Sequence, residues 1–288
     1  MKPPPFEYEA PTTIQEVVAL LQQHDGEAKI LAGGQSLMPL LNMRFARPTA
    51  LIDLGRLTDL DYIREENGAL AIGAMTTKRT VERSELVKSR QPLLHASTAW
   101  IAHPQIRNRG TVGGSMAQAD PAAEYPAVAL ALDAEFVIAG PDGTRSVAAS
   151  DFFVTFLTTA LEENEVLTEI RVPVLPERTG WSIQEVARRH GDFAMVGAVT
   201  TLGLGGGGAC ESARVVLFGV GPTPQRATAV EQALIGQAPS EALFAEAAAK
   251  AAEGLEDTLS DLHASAEYRR HLAQVLTRRG LTEAAERA

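Results

Sequence analysis

Two short glycine-rich segments place the strongest constraint on what this chain can fold into. They read Ala32-Gly33-Gly34-Gln35-Ser36 and Thr111-Val112-Gly113-Gly114-Ser115, so each has two adjacent glycines followed closely by a small polar residue. Glycine lets the backbone approach a ligand closely and adopt positive φ, and successive backbone N–H groups in such turns form an anion-binding concavity. Two segments of this kind predict a clamp for the two phosphates of a dinucleotide, built without a lysine. Two ordinary tight turns are the alternative interpretation.

The first glycine segment is predicted to leave a strand within a small α/β unit. Thr13 and Glu16 fit a capping box at the start of an apolar pattern, which predicts a helix over 13–23. A strand at 29–31 runs directly into the glycine segment, and a short helix is expected to follow from Leu37. The next predicted strand covers 50–54.

The rest of the chain predicts two further groups of elements. Asn67-Gly68 between two apolar runs is a strong hairpin signal. Two prolines and a charged turn within 172–180 indicate a domain boundary. Before this boundary we predict helices over 77–83, 91–102 and 123–132, and strands over 134–139 and 165–172. After it, in an α+β order, we predict strands near 181–188, 195–204 and 212–220, then helices over 226–235, 240–253 and 266–279.

Composition excludes several classes of protein. With 26 basic against 36 acidic side chains, the 288-residue chain has a formal net charge of −10, which argues against nucleic-acid binding. A chain with 45% apolar residues can bury real cores and is not of the disordered type. The single cysteine, Cys210, excludes an intrachain disulfide framework, an all-cysteine zinc site and an iron–sulfur cluster held by this chain alone.

Targeting and catalytic motifs are absent from the sequence. No apolar stretch follows the first five residues, and the apolar run near 127–132 is too short to cross a bilayer. We therefore expect no signal peptide, no membrane span and a cytoplasmic protein. The six histidines show no metal-ligand spacing such as H-E-x-x-H, and no G-x-S-x-G elbow supplies a nucleophile.

Several residues allow two interpretations each. The run 203–208 satisfies a dinucleotide-binding spacing, but a strand-like run follows where a helix is required, so a hairpin loop is the better interpretation. His103, before Pro104, is interpreted as a helix-end residue rather than a base. Asp120 and Glu124 either cap a helix or accept hydrogen bonds from ribose hydroxyls. Phe193 either packs in the core, the favoured interpretation, or stacks on a flat ring.

Taken together, the two glycine segments and their flanks resemble the FAD-binding medium subunits of molybdenum hydroxylases. That family includes aerobic carbon monoxide dehydrogenase, quinoline oxidoreductase and the flavin domain of xanthine dehydrogenase. The likeness extends over the whole chain. Its other landmarks are residues 6–8, 51–54, 72–76, 104–110 and 189–194.

The resemblance implies an α+β protein with a vanillyl-alcohol-oxidase-type FAD-binding fold. Residues 1–176 would form the FAD-binding domain, with α/β subdomains at about 1–55 and 56–176, and residues 177–288 a C-terminal α+β domain. Neither a catalytic acid or base nor a metal ligand is implied in this chain. The implied FAD-binding residues are Leu31, Ala32, Gly33, Gly34, Gln35, Ser36, Leu37, Ile101, Thr111, Gly113, Gly114, Ser115, Asp120, Glu124, Leu167 and Phe193.

The resemblance also assigns roles within that set. Residues 32–36 and 111–115 would hold the FAD phosphates through backbone amides, and Ile101 and Leu167 would line the cofactor. Glu124, where many relatives carry Asp, would bind the adenosine part, with Asp120 a second acidic candidate. Phe193 would lie near the isoalloxazine ring.

The implied function is electron relay within a larger complex. A large partner subunit would carry the molybdenum cofactor, and a small partner subunit would carry two [2Fe-2S] clusters. Electrons would pass from those clusters through FAD to an external acceptor, in a complex expected to be a dimer of heterotrimers. Residues 107–110 and 187–189 resemble those of medium subunits from complexes that act on N-heteroaromatic compounds more than those of the carbon monoxide enzymes. The resemblance therefore implies an N-heteroaromatic substrate. The alternatives are a stand-alone FAD-dependent oxidase of the same fold and a non-catalytic nucleotide-binding assembly module.

Overall fold

The computed structural model describes residues 2–288, and its first unit is a three-stranded parallel sheet in the order β1-β3-β2. The Thr13 hydroxyl accepts from the Glu16 N–H at 3.2 Å, and the Glu16 carboxylate accepts from the Thr13 N–H, so the predicted capping box is confirmed. The elements of this unit are β1 (Glu7–Glu9), α1 (Ile14–His24), β2 (Ala28–Leu31), α2 (Leu37–Asn42) and β3 (Ala50–Asp53).

A five-stranded antiparallel sheet in the order β4-β5-β10-β6-β7 forms the second unit. Asn67 and Gly68 have φ of 51° and 78°, which is the geometry of the predicted tight hairpin. The strands of this sheet are β4 (Ile63–Glu66), β5 (Ala69–Gly73), β6 (Glu135–Gly140), β7 (Gly143–Ala148) and β10 (Val166–Pro173). A separate two-stranded sheet pairs β8 (Phe153–Thr155) with β9 (Thr158–Thr159). The helices are α3 (Lys78–Arg83), α4 (Glu85–Arg90), α5 (Pro92–Thr98), α6 (Pro104–Arg107), α7 (Val112–Gln118), α8 (Glu124–Ala131) and α9 (Ala149–Phe152).

The C-terminal unit is an antiparallel sheet in the order β11-β12-β13-β14, followed by helices. Alternate residues of β13 point to opposite faces: Val216 and Phe218 join the core of the second unit, whereas Val215 and Leu217 pack under the C-terminal helices. The elements are β11 (Thr179–Val186), β12 (Val196–Leu204), β13 (Cys210–Phe218), β14 (Gln225–Arg226), α10 (Thr228–Leu234), α11 (Glu241–Ala249) and α12 (Ala266–Arg287).

Two predicted helices have different bounds in the structure. The helix expected over 91–102 ends at Thr98, and the chain then turns through Ala102, whose φ is 45°, before Pro104. The last helix continues through Gly280 to Arg287, beyond the predicted end at 279. Gly280 serves there as a contact point, because a Cβ on it would stand 2.7 Å from the Thr200 hydroxyl.

One further prediction is confirmed. The glycine run 203–208 connects antiparallel β12 and β13, so it is a hairpin loop. No helix formed by residues 2–288 is long and apolar enough to cross a membrane.

Candidate functional site

The two glycine segments, distant in sequence, lie against each other in the fold. A Cβ built on Gly33 would stand 2.2 Å from the Arg109 carbonyl oxygen and 2.8 Å from the Gly110 Cα. A Cβ on Gly114 would lie 3.4 Å from the Ala32 Cβ. The end of β2 therefore meets the start of α7 at a contact where only glycine leaves enough room.

The first segment carries a row of free backbone donors. It connects Leu31, the last residue of β2, with Leu37, the first residue of α2, and Gly34 has a φ of 72°. Among residues 2–288, no acceptor receives a hydrogen bond from the backbone N–H of Gly33, Gly34, Gln35 or Ser36. These turn amides, of half-buried residues 33–35 and exposed Ser36, are followed by the start of a helix and form the kind of concavity that binds phosphate.

The second segment uses most of its amides internally. Thr111 is the N-cap of α7, and its hydroxyl accepts from the Gly114 N–H at 3.0 Å. The N–H groups of Val112 and Gly113 donate to the Thr76 and Ala74 carbonyls, both at 2.9 Å. The Ser115 N–H donates to the Thr111 carbonyl at 3.2 Å. The two segments thus contribute differently, because free amides come mainly from residues 33–36 and the second segment adds its hydroxyls.

The donors present at this contact fit the diphosphate of FAD. Free N–H groups and the Thr111 and Ser115 hydroxyls are the donors that an anionic linker requires. Leu31, Ala32 and Leu37 frame the first segment, and all three are half-buried.

Ile101 and Leu167 belong to one apolar core between the two larger sheets. Ile101 is 6% and Leu167 is 4% exposed. Arg107 holds the loop of Ile101 in place, because its guanidinium donates to the Ile101 carbonyl at 2.8 Å and to the Ala102 carbonyl at 3.1 Å. The same guanidinium makes a two-bond ion pair with Glu82.

Phe193 is exposed, so the core-packing interpretation is wrong. Its side chain is 67% accessible, in a turn where Gly191 has a φ of 88°. A Cβ on Gly191 would stand 2.6 Å from the His103 ring, so this turn packs tightly while leaving the Phe193 ring outside. His103 itself is the N-cap position of α6, which confirms its helix-end interpretation.

Asp120 and Glu124 lie together before and at the start of α8, but neither caps it. The N-cap is Ala123, which has no side chain to cap with, and the Asp120 carboxylate accepts from the Ala122 N–H at 2.9 Å. The capping interpretation is therefore wrong for α8, and the Asp120 bond instead closes a local turn. Burial raises the pKa of both carboxyls, and Glu124 is only 7% exposed. Their remaining oxygens are available to hydroxyl or amine donors.

The sequence did not reveal two charged groups that the fold removes from solvent, the buried Lys78 and the half-buried Glu185. Lys78 starts α3 and its backbone N–H donates to the Gly110 carbonyl at 2.9 Å. Glu185 on β11 lines a cavity of about 470 Å³ beside Trp100 and His190, and burial raises the pKa of its carboxyl to about 8. Lys78 and Glu185 carry no motif spacing, and their burial arises from contacts between elements far apart in the chain.

Comparisons with known proteins bear on the whole chain. A family described as FAD binding domain in molybdopterin dehydrogenase matches residues 4–175, and one described as CO dehydrogenase flavoprotein C-terminal domain matches residues 181–284. The carbon monoxide dehydrogenase medium chain of Hydrogenophaga pseudoflava is 42% identical over 99% of this chain and 98% of its own. The caffeine dehydrogenase subunit beta of a Pseudomonas species is 41% identical over 100% of this chain and 97% of its own.

The fold comparison agrees with these relationships. A solved structure of carbon monoxide dehydrogenase from Hydrogenophaga pseudoflava, lacking the Mo-pyranopterin moiety of its molybdenum cofactor, superimposes with a TM-score of 0.96. The sequence identity is 43%, and all of both chains is covered. This chain belongs to the family of FAD-binding medium subunits of molybdenum hydroxylases.

Proposed function

We propose that this chain is the FAD-binding, electron-transfer subunit of a heteromeric molybdenum hydroxylase. The observation that carries the proposal is the row of free amides at residues 33–36, held against the second glycine segment. Bound FAD would supply the redox chemistry, accepting electrons from the partner's iron–sulfur clusters and releasing them to an external acceptor. The chain's own task is to bind and orient that cofactor.

The residues proposed to hold FAD fall into three groups. The diphosphate would be held by the first segment, Leu31, Ala32, Gly33, Gly34, Gln35, Ser36 and Leu37, and by Thr111, Gly113, Gly114 and Ser115. Asp120 and Glu124 would accept hydrogen bonds from the adenosine part. Ile101 and Leu167 would line the cofactor, and the exposed Phe193 ring is free to stack on the isoalloxazine.

We place the boundary between the two domains at residues 176 and 177. It separates the FAD-binding part, with subdomains at about 1–55 and 56–176, from the C-terminal α+β part. The break between the second sheet, which ends with Pro173, and the third, which begins with Thr179, supports this division.

The complex proposed here contains two kinds of partner. The single cysteine, Cys210, is buried and cannot supply the four ligands of an iron–sulfur cluster. A small subunit with two [2Fe-2S] clusters and a large subunit with the molybdenum cofactor would therefore flank this chain. We propose a dimer of heterotrimers working in the cytoplasm. Native mass measurement and cell fractionation check these two points.

The substrate of the complex would bind the large subunit. The relative named for caffeine, an N-heteroaromatic compound, is 41% identical, and the relative named for carbon monoxide is 42% identical. We propose an N-heteroaromatic substrate, with carbon monoxide as the alternative. Turnover of the purified complex with caffeine and with carbon monoxide tests this proposal.

Purification of the native complex and of the full chain tests the function. We expect the chain to bind stoichiometric FAD, seen in the visible spectrum and by chromatography of the released flavin, and to co-purify with a cysteine-rich chain and a molybdenum-containing chain. A protein that runs alone and oxidises a substrate unaided would indicate a stand-alone oxidase. A chain without flavin bands after FAD is added would indicate a nucleotide-binding assembly module.

A further inference from the structure

Lys78 lies directly beneath the contact between the two glycine segments. Its backbone is tied to Gly110, and the preceding residue, Thr77, forms a β-bridge with Thr111. A Cβ on Gly110 would stand 3.7 Å from the Lys78 Cδ and 3.6 Å from the Gln35 Cγ. The lysine stem and the side chain of Gln35, from the first glycine segment, therefore approach the same position beside Gly110.

The Lys78 ammonium is buried without a counter-ion. The residue is 8% exposed, and its Nζ lies 5.6 Å from the centroid of the Tyr125 ring. No carboxylate among residues 2–288 pairs with it within 4.0 Å, and Glu124 acts on it only through its more distant charge. Burial lowers the pKa of the Lys78 ammonium. A desolvated cation is costly unless an anion compensates it.

The surroundings compensate this charge only in part, through the face of the Tyr125 ring and through the charge of Glu124, which lies beyond ion-pair distance. Glu124 and Tyr125 form the first turn of α8, so Lys78 approaches the positive end of that helix dipole. A buried ammonium that is compensated only in part, on a stem that packs at the same position beside Gly110 as the side chain of Gln35, would be stabilised by an anionic ligand at the glycine segments.

We infer that Lys78 is a further FAD-binding residue, whose ammonium contacts the diphosphate next to the free amides of residues 33–36. This inference rests on the proposed function. The alternative is a purely structural role, in which Lys78 only packs on Gly110 and the Tyr125 ring. In that case, replacement of Lys78 should lower the melting temperature and weaken the binding of all ligands alike.

The test is a titration of the flavin-free full chain with three ligands. FAD and ADP both contain a diphosphate, and riboflavin contains the flavin ring without phosphate. Lys78→Met keeps the length of the stem and removes the charge, and Lys78→Arg keeps the charge. Lys88→Met, at an exposed position of α4, is the matched control.

We expect Lys78→Met to weaken FAD and ADP binding by about 10- to 100-fold, the range of one hydrogen bond to a charged group. Riboflavin binding should be unchanged, and Lys78→Arg should retain affinity within about tenfold of the wild type. The melting temperature of flavin-free Lys78→Met should stay the same or rise, because an unpaired buried charge is removed. Lys88→Met should match the wild type in every assay.

Three results would overturn the inference. They are wild-type affinity of Lys78→Met for FAD and ADP, an equal loss of riboflavin binding, and a lowered melting temperature that accompanies a general loss of binding. The proposed function is tested separately. A wild-type chain that binds ADP but not FAD would contradict flavin binding. If Lys78→Met then weakens ADP binding, the diphosphate contact would still be supported. A wild-type chain that binds neither ligand would overturn both.

Discussion

The Cα of Gly33 packs so closely on the Arg109 carbonyl that a Cβ there would stand 2.2 Å from the oxygen. No side-chain rearrangement relieves this overlap, since the atoms it would meet belong to the backbone of Arg109 and Gly110. The contact therefore joins the N-terminal unit to the second unit and shapes the proposed phosphate site at the same time.

Replacement of Gly33 by valine should separate the two glycine segments. We expect Gly33→Val to release FAD and to lower the free energy of unfolding by about 1–3 kcal/mol, the usual range for overpacking. Gly114→Val should act more weakly on stability, because a Cβ there meets the Thr111 hydroxyl at 2.8 Å and a methyl group at 3.4 Å.

The matched control for these variants is Gly206→Val, in the hairpin loop, where a Cβ has no neighbour within 4 Å. It should change stability by less than about 0.5 kcal/mol. Flavin content is measured by visible absorption and stability by denaturant unfolding. Stoichiometric FAD in both Gly33→Val and Gly114→Val would contradict the site assignment.

Phe193 should affect flavin binding without affecting folding. Because its ring is 67% exposed, Phe193→Ala should change the free energy of unfolding by less than about 0.5 kcal/mol. Loss of an aromatic stacking partner should weaken FAD binding by about 2- to 12-fold, and Phe193→Tyr should retain it. Leu262→Ala, at a fully exposed apolar position, is the control. A large drop in melting temperature for Phe193→Ala would argue for a packing role instead.

The ion pair between Arg107 and Glu82 should stabilise the loop that carries Ile101. Arg107→Met removes two hydrogen bonds to Glu82 and two to backbone carbonyls, but Arg79 still pairs with Glu82, so the cost should stay below the about 3–5 kcal/mol of a fully buried pair. Burial alone would raise the pKa of Glu82, but hydrogen bonds from Arg79 and Arg107 outweigh it and lower that pKa.

Because the pKa of Glu82 is lowered in the folded state, the stabilisation that this ion pair provides depends on pH. The stabilisation by Glu82 is present above its unfolded pKa of about 4.3 and disappears as the pH falls through the lower folded value. The difference in melting temperature between wild type and Glu82→Gln should therefore be largest near neutral pH and shrink as the pH falls towards 3. A difference that grows on acidification would contradict this role.

Glu185 should destabilise the flavin-free chain at high pH. Burial, together with the charge of Glu124, raises the pKa of its carboxyl to about 8, and its Oε2 is buried without a hydrogen-bond partner. The folded state therefore retains a proton that the unfolded state releases near pH 4.3. Protonated Glu185 therefore makes its full contribution to the free energy of unfolding below about pH 4.3. That contribution decreases as the pH rises to about 8.

Glu185→Gln should remove that pH dependence. Each unit of pKa difference corresponds to about 1.4 kcal/mol, so we expect the variant to exceed the wild type by at least about 1.4 kcal/mol at pH 9. The two proteins should converge below pH 4. Denaturant unfolding at a series of pH values measures this, with exposed Glu211→Gln as the control. Equal stability of Glu185→Gln and wild type at every pH would contradict a neutral buried carboxyl.

The sequence determined the local structure of this protein and the chemistry of its loops. The capping box at Thr13, the hairpin at Asn67-Gly68 and both glycine segments depend on neighbouring residues, whose backbone preferences act over a few positions. The two segments also carried the family resemblance, because phosphate binding by backbone amides leaves a recognisable glycine pattern.

Only the tertiary structure decided which of these groups meet and which remain unpaired. The close packing of Gly33 on Arg109, the burial of Lys78 and the raised pKa of the Glu185 carboxyl all arise where elements distant in the chain come together. Phe193 projects outward because the Gly191 turn packs on His103, and α12 continues through Gly280 because its backbone packs on Thr200. Desolvation and steric fit depend on the positions of all surrounding atoms, and no local spacing in the sequence encodes them.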